Sequence, residues 1–372
     1  MNTPDPHPAA PTNPLERLEQ FLRLDPGNPL LLAETADAAL AGGAYERAQQ
    51  LIDTGLALPG DPSIWRFRHS SLYIAQRRLD EAHQILSALL QEGGKHPVVA
   101  HNLAYIELLR GDFEACLRVL QPWIDSPAGK DDGALQILWL RALHRLDRVD
   151  EAWQWAKPRR ADGSLSPAAA GVASLVALDV GDMEAALDLS QRALEADIPP
   201  MEALVARASV ALAQRDAPCA RELLEAGLKL NPQDGRAWST LAFTAMLEKQ
   251  LGQAQQLFEK ALRFGPDHIE TWHGLGWTCV LRQNLAGAAA AFESALRLDP
   301  QFGENHGALA VVKALQGQDQ SALEHVGQAI ELEPSNMAAR YAQALLSGEA
   351  GELEAFQRLT RRFLGKSRRR AR

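Results

Sequence analysis

The sequence predicts an all-α protein built from about ten repeated pairs of helices. Prolines with similar neighbours recur every 34 residues in the C-terminal half, at Pro232, Pro266, Pro300 and Pro334. An alanine column recurs at nearly the same interval, at Ala48, Ala82, Ala115, Ala152, Ala186, Ala220, Ala254, Ala288 and Ala322. Such intervals are typical of helical repeat proteins. Aromatic residues make up only 6% of the chain, whereas alanine and leucine are frequent, which favours helix.

Each unit is predicted to contain two helices joined by a short turn. Trp238, Leu241 and Ala242 stand at i, i+3 and i+4, which places them on one stripe of a first helix. Ala254 and Phe258 have the same spacing on a second helix. The proline at the end of each unit ends the second helix, because the residue before a proline avoids the helical conformation. Small residues in these columns let two helix backbones approach closely.

The best two consecutive units resemble the tetratricopeptide repeat family. The residues that carry the resemblance are Trp238, Leu241, Ala242, Ala254, Phe258, Ala261 and Pro266 in unit seven, and Trp272, Leu275, Gly276, Ala288, Phe292, Ala295 and Pro300 in unit eight. The resemblance extends over about residues 29–364 and weakens in the fourth unit. It implies an α-solenoid of stacked helix-turn-helix repeats that forms a right-handed superhelix with a concave groove.

The repeats and their interruptions predict how the chain is organised. The irregular region carries Pro158 early in a second helix, and we interpret it as a bend rather than a separate domain. The predicted segments are a disordered leader (1–12), a capping helix (13–28), repeats 1–3 (29–121), an irregular fourth repeat or bend (122–166), repeats 5–10 (167–364) and a basic disordered tail (365–372).

The first helix of each unit lines the groove in this family, through the stripe that is not used for packing. On that basis the candidate groove contacts are Phe67, His101, Tyr105, Phe243, Met246, His273 and Trp277. Apolar side chains on a stripe that faces solvent favour a binding surface. The alternative is that neighbouring helices cover them, and the sequence leaves both interpretations open.

Catalytic, cofactor and metal sites are not predicted. The chain has no HExxH, CxxC or GxSxG motif and no phosphate-binding glycine loop. His268, His273 and Cys279 fall close together in sequence, but they project in different directions. The three cysteines, Cys116, Cys219 and Cys279, are few and far apart, so they fit a reducing compartment and small buried side chains better than disulfides.

The leading functional hypothesis is a non-enzymatic cytoplasmic scaffold or adaptor that binds a protein segment in the groove. No run of about 18 apolar residues is present, so no transmembrane helix is predicted. Two alternatives remain open. The chain could be an assembly chaperone or a subunit of a bacterial secretion, pilus or envelope system, or it could be a regulatory module associated with an enzyme.

The C-terminal tail has a charge opposite to that of the rest of the chain. Residues 358–372 hold eight basic residues and no acid, which leaves 30 basic and 47 acidic residues, or −17, elsewhere. Three roles are open for this tail. It could fold back on the acidic body, contact nucleic acid or contact an anionic membrane.

Overall fold

A computed structural model describes residues 13–93 and 96–348, which form twenty α-helices and no strand. The helices are α1 (Pro14–Leu24), α2 (Pro29–Ala41), α3 (Tyr45–Leu56), α4 (Ser63–Ala75), α5 (Leu79–Gln91), α6 (Pro97–Arg110), α7 (Phe113–Leu120), α8 (Gly133–Arg145), α9 (Val149–Asp162), α10 (Pro167–Asp179), α11 (Met183–Leu194), α12 (Met201–Ala213), α13 (Ala217–Leu230), α14 (Gly235–Leu247), α15 (Leu251–Phe264), α16 (Ile269–Leu281), α17 (Leu285–Leu298), α18 (Gly303–Leu315), α19 (Asp319–Leu332) and α20 (Met337–Leu346).

Consecutive helices pair into repeats, so the predicted all-α solenoid fold is confirmed. The pair α2 and α3 forms the first repeat, α18 and α19 form the ninth, and α20 is the first helix of the tenth. The predicted leader (1–12), the predicted basic tail (365–372) and residues 349–364 of the tenth repeat lie outside the described residues.

The chain divides into two compact units, with the boundary between Arg148 and Val149. The core of the first unit contains fully buried aliphatic residues such as Ile52, Leu72 and Leu86. The core of the second unit contains the aromatic rings of Phe258 and Phe292 among many alanines. The boundary falls between α8 and α9, within the segment predicted to be irregular.

Pro158 lies past the middle of α9, which continues to Asp162. The sequence analysis predicts this proline early in a helix, where it would be well tolerated, and that prediction is wrong. Its actual place removes one backbone donor from the helix interior. Beside it, the guanidinium of Arg159 lies 3.9 Å from the ring centre of Trp155 and donates to the Trp155 carbonyl oxygen at 3.0 Å.

The turn within each of repeats one to nine contains one residue in the left-handed conformation, and these nine residues follow one another at intervals of 34 to 36. They are Gly43, Arg77, Gly111, Asp147, Gly181, Arg215, Lys249, Gln283 and Gly317. Five of the nine are not glycine, although a side chain at such a φ angle costs roughly 1–2 kcal/mol. The turn geometry is therefore imposed by the two helices that it joins.

We expect Lys249→Gly to raise the free energy of unfolding by about 1 kcal/mol, because glycine relieves the strain at φ 63°. Gly181→Ala, at φ 83°, should lower that free energy by a similar amount. Urea unfolding of both variants beside the unsubstituted chain measures the two changes. Equal signs for the two variants would contradict the expectation.

A hydrogen bond to the proline between two repeats recurs in repeats seven to ten. In each of them the residue six positions after the proline approaches the proline carbonyl oxygen with a ring or guanidinium nitrogen. The pairs are Trp238–Pro232 at 2.9 Å, Trp272–Pro266 at 2.8 Å, His306–Pro300 at 3.1 Å and Arg340–Pro334 at 3.3 Å. The tryptophan column of the sequence thus belongs to a wider column of hydrogen-bond donors.

Most of the predicted packing columns are buried. Leu241, Ala242, Ala254, Leu275, Gly276 and Ala288 are buried, Trp238 and Trp272 are half-buried, and Pro300 is exposed beyond the end of α17. Gly276 shows why a small residue is needed, since a Cβ atom there would lie 2.4 Å from a ring carbon of Phe292. A larger side chain would force that ring or the helix to move.

Candidate functional site

The first helices share a stripe that the sequence predicts to line a groove. We call it the inner stripe. In repeat eight it consists of Glu270, His273, Trp277 and Val280, and in every other repeat the equivalent residues stand the same numbers of positions before the left-handed turn residue. The two compact units of the chain differ in how exposed the side chains of their inner stripes are.

In the second unit, three predicted groove residues lie inside the protein. Met246 is 6% exposed, His273 4% and Trp277 3%. The Trp277 Nε1–H donates to Nε2 of His273 at 3.1 Å, and Nδ1 of His273 lies 2.7 Å from Oδ1 of Asn305. The imidazole therefore accepts on one nitrogen and donates from the other, which requires a neutral ring with its hydrogen on Nδ1.

Burial lowers the pKa of His273, and the nearby Glu304 carboxylate opposes this shift only in part. The neutral ring is thus the form that fits this environment. Its hydrogen bonds join α16 to α18, so His273 connects the first helices of two successive repeats.

Two more polar contacts connect first helices in the second unit. Thr271 Oγ1 donates to Ser239 Oγ at 2.9 Å, which joins α16 to α14. Arg236 on α14 pairs with Asp179 on α10 through both of its terminal nitrogens, one of them at 3.1 Å. Burial opposes the charge of Arg236, but the carboxylates of Asp179, Glu270 and Asp234 together outweigh this effect and raise the pKa of the guanidinium.

Phe243, the fourth predicted groove residue in this unit, is half-buried against Phe258 in an edge-to-face contact with ring centres 4.9 Å apart. Three of the four predicted groove residues in the second compact unit are therefore covered by other side chains of that unit. This burial fits the alternative that neighbouring helices cover Met246, His273 and Trp277. A ligand contact by any of the four stays a prediction.

In the first unit, the predicted groove residues are more accessible. Phe67 on α4 and His101 and Tyr105 on α6 are all half-buried. The rings of His101 and Tyr105 are parallel, with centres 6.4 Å apart, and His101 Nδ1 lies 3.0 Å from Oδ1 of Asn102. These aromatic side chains expose part of their surface on the same stripe.

Three exposed aliphatic side chains accompany them, and the sequence analysis did not identify these residues. Leu30 is 68% exposed, Ile64 57% and Val98 39%, and all three occupy the stripe position of Glu270 at intervals of 34 residues. The same position holds Ala168 in repeat five and is polar in repeats six to nine, with Glu202, Arg236, Glu270 and Glu304. We call Leu30, Ile64 and Val98 the aliphatic row. Their spacing was the signal that could have revealed them.

An ion pair holds the helices beside the aliphatic row. Arg68 on α4 donates to both carboxylate oxygens of Asp37 on α2, at 2.9 and 2.8 Å. The same guanidinium lies 5.6 Å from the ring centre of Trp65. Such a two-point contact fixes the relative position of two helices better than a single hydrogen bond does.

The cysteines do not add a reactive group to either stripe. Cys116 and Cys279 are buried and Cys219 is partly buried, all as free thiols. Burial raises the pKa of Cys116 to about 12 and also raises the pKa of Cys279. A thiol with a raised pKa stays protonated and is a poor nucleophile and metal ligand.

Over residues 13–93 and 96–348, no three histidine, cysteine, aspartate or glutamate side chains lie together in a way that could hold a metal ion. Within the same two ranges, every helix is too short or too polar to cross a membrane.

Comparison with known families agrees with the columns described above. Tetratricopeptide repeat profiles match residues 172–235 and residues 211–277. Residues 172–277 of the chain belong to the tetratricopeptide repeat family. The matched segment contains α11 of repeat five, repeats six and seven, and the part of α16 that holds Trp272 and Gly276. No curated protein sequence matches this chain significantly.

Solved structures with similar folds have low sequence identity to this chain. A monomeric mutant of IFIT1 with m7Gppp-AAAA is 14% identical, with a TM-score of 0.55 over 95% of this chain and 88% of that one. The Cut9-Hcn1 hetero-tetramer of the APC/C is 12% identical, with a TM-score of 0.48 over 93% and 80%. MamA is 18% identical, with a TM-score of 0.37 over 41% and 90%. At these identities the first likeness shows the fold alone.

Proposed function

We propose that this protein is a non-enzymatic scaffold or adaptor that binds a protein segment on the inner stripe of its first unit. Tetratricopeptide repeats support a role in protein–protein interaction in general. The observation that carries the finer proposal is the aliphatic row, since Leu30, Ile64 and Val98 expose apolar surface at equivalent positions of three successive repeats. Contiguous exposed apolar surface marks interaction sites, and equivalent positions in successive repeats place these three side chains along one stripe.

The chemistry of the stripe favours a segment with apolar side chains at regular intervals. Phe67 and Tyr105 lie on the same stripe as the aliphatic row, so an apolar partner side chain could contact an aliphatic and an aromatic residue together. Full burial of an exposed Leu, Ile or Val side chain contributes about 1.5–3 kcal/mol. Three such contacts, reduced by the cost of ordering the segment, fit a micromolar affinity of about −8 kcal/mol.

We expect Ile64→Asp to weaken binding of selected peptides at least tenfold, because the substitution places a charge in the middle of the aliphatic row. The peptides would be selected from a random displayed library on the unsubstituted full chain, and their affinities measured by fluorescence anisotropy. Leu230→Asp is the matched control, since Leu230 is 64% exposed at the end of α13, away from the inner stripe.

Both substitutions replace exposed side chains, so neither should change stability by more than about 0.5 kcal/mol. The proposal fails if the selected peptides bind the Ile64→Asp variant as well as the unsubstituted chain. It also fails if Leu230→Asp weakens binding as strongly as Ile64→Asp does.

A further inference from the structure

Two histidines in the ninth repeat point the same ring nitrogen at each other. His306 lies on α18 and His325 on α19, and their Nδ1 atoms are 3.2 Å apart. The ring centres are 5.4 Å apart and the ring planes are tilted by 36°. Both residues are half-buried, so solvent reaches the pair.

The outer nitrogen of His306 has a partner that fixes the position of its hydrogen. Nε2 of His306 lies 3.1 Å from the carbonyl oxygen of Pro300, which can only accept a hydrogen bond. Trp238 and Trp272 donate an N–H to the equivalent carbonyl in their own repeats. The hydrogen of neutral His306 therefore lies on Nε2, and its Nδ1 accepts a hydrogen bond from Nδ1–H of His325. Metal binding at both Nδ1 atoms requires the hydrogen of His325 to move to its Nε2 atom.

This arrangement has the features of a metal-binding histidine. Histidine ligands usually donate their second ring nitrogen to a backbone carbonyl or carboxylate, which orients the ring and leaves the other nitrogen free to coordinate. Zinc binds imidazole nitrogen at 2.0–2.1 Å, so two ligands at a tetrahedral angle lie about 3.3–3.4 Å apart. The observed separation of 3.2 Å between the two Nδ1 atoms is close to that value.

We propose that the Nδ1 atoms of His306 and His325 together bind one divalent transition-metal ion of the class that prefers imidazole, such as Zn²⁺, Ni²⁺ or Cu²⁺. No third side chain of the kinds that ligate metals joins them within the described residues, so water completes the coordination. The ion ties α18 to α19 and leaves the Pro300 hydrogen bond intact.

Neighbouring charges modulate this site in opposite directions. Lys313 repels a cation near His325, and Glu324 attracts it. Glu293 lies 3.8 Å from the Lys313 ammonium group and offsets part of its charge. Burial, then His306 and Lys313, lower the pKa of His325.

The test is isothermal titration of Zn²⁺ into the full chain, without an affinity tag, at pH 7.5. We expect one Zn²⁺ to bind per chain and to raise the thermal unfolding midpoint, while Mg²⁺ does neither. His306→Trp is the most informative variant. Tryptophan stands at the equivalent position of repeats seven and eight, where its indole N–H donates to the equivalent proline carbonyl, but it offers no nitrogen that can bind a metal.

Both His306→Trp and His325→Gln should weaken Zn²⁺ binding at least tenfold, since even the loss of a residue that only supports a ligand costs tenfold or more. The chain contains ten histidines, so the comparison between variants locates the site. Unchanged Zn²⁺ affinity in both variants would overturn the proposal. A lack of Zn²⁺-dependent heat and midpoint shift in the unsubstituted chain would overturn it as well.

Discussion

Replacement of Phe292 by alanine is expected to lower the free energy of unfolding of the second unit by about 3–5 kcal/mol. Phe292 is fully buried, and its ring centre lies 5.4 Å from that of His273 and 5.6 Å from that of Trp277. The same ring fills the space that Gly276 leaves on α16. Its removal leaves a cavity between α16 and α17, because the surrounding helices can close it only in part.

Phe264→Ala is the matched control for this prediction. Phe264 ends α15 and is 42% exposed, so its truncation removes fewer contacts and leaves no closed cavity. We expect its effect on the free energy of unfolding to stay below about 1 kcal/mol. Urea unfolding followed by circular dichroism measures both variants. Equal losses for Phe292 and Phe264 would show that Phe292 is not the centre of this core.

The fold could be predicted from the sequence because the repeat spacing is a local property. Each helix of units seven and eight places small and large residues at fixed intervals, such as Ala254 and Phe258, and these intervals require a helix that buries one stripe. The left-handed conformation of the turn residues could not be predicted from residue type, because five of the nine are not glycine. At Lys249 and Gln283 the geometry follows from the helices on either side rather than from the turn residue itself.

The exposure of the inner stripe could be predicted only in part. A helical stripe gives the direction of a side chain, but its burial depends on the side chains of neighbouring repeats. His273 and Trp277 point along the predicted stripe and are nevertheless buried, because Asn305 and Phe292 contact them. The His273–Asn305 contact joins residues 32 positions apart, and both contacts join residues of different types on different helices, so no spacing rule reveals them.

The aliphatic row was missed for a different reason. Single exposed aliphatic residues are common on protein surfaces and carry no information by themselves. Leu30, Ile64 and Val98 differ from isolated exposed residues because they align on first helices across three repeats, as Leu230, Phe264 and Leu298 do at the ends of second helices. That alignment was already present in the sequence. A comparison of stripe positions across all repeats, rather than of the packing columns alone, would have identified them.

Acid is expected to destabilise the second unit through His273. Trp277 donates to Nε2 of this histidine, so a hydrogen added to that nitrogen on protonation would face the indole N–H and break the hydrogen bond. Burial lowers the pKa of His273 below its ordinary value of 6.5, although the Glu304 carboxylate opposes the shift. The unfolded chain therefore takes up a proton at higher pH than the folded chain does.

The sign of the pH effect follows from that difference. The contribution of neutral His273 to stability is fully present above about pH 6.5 and is lost as the pH falls through the pKa of the folded state. Between the pKa of the unfolded state and that of the folded state, uptake of this one proton lowers the free energy of unfolding by up to about 1.4 kcal/mol per pH unit. His69 and His325 also have lowered pKa values, mainly because of burial, and they act in the same direction.

A His273→Gln variant isolates the contribution of this residue from that of the other histidines. Glutamine does not titrate, so the variant should be less stable at pH 7.5, where it lacks the paired hydrogen bonds of His273, but should lose less stability on acidification. The difference between the two unfolding free energies should therefore shrink as the pH falls from 7.5 to 5.5. Urea unfolding at several pH values measures this difference. A constant difference over that range would mean that His273 is not kept neutral by its burial between α16 and α18.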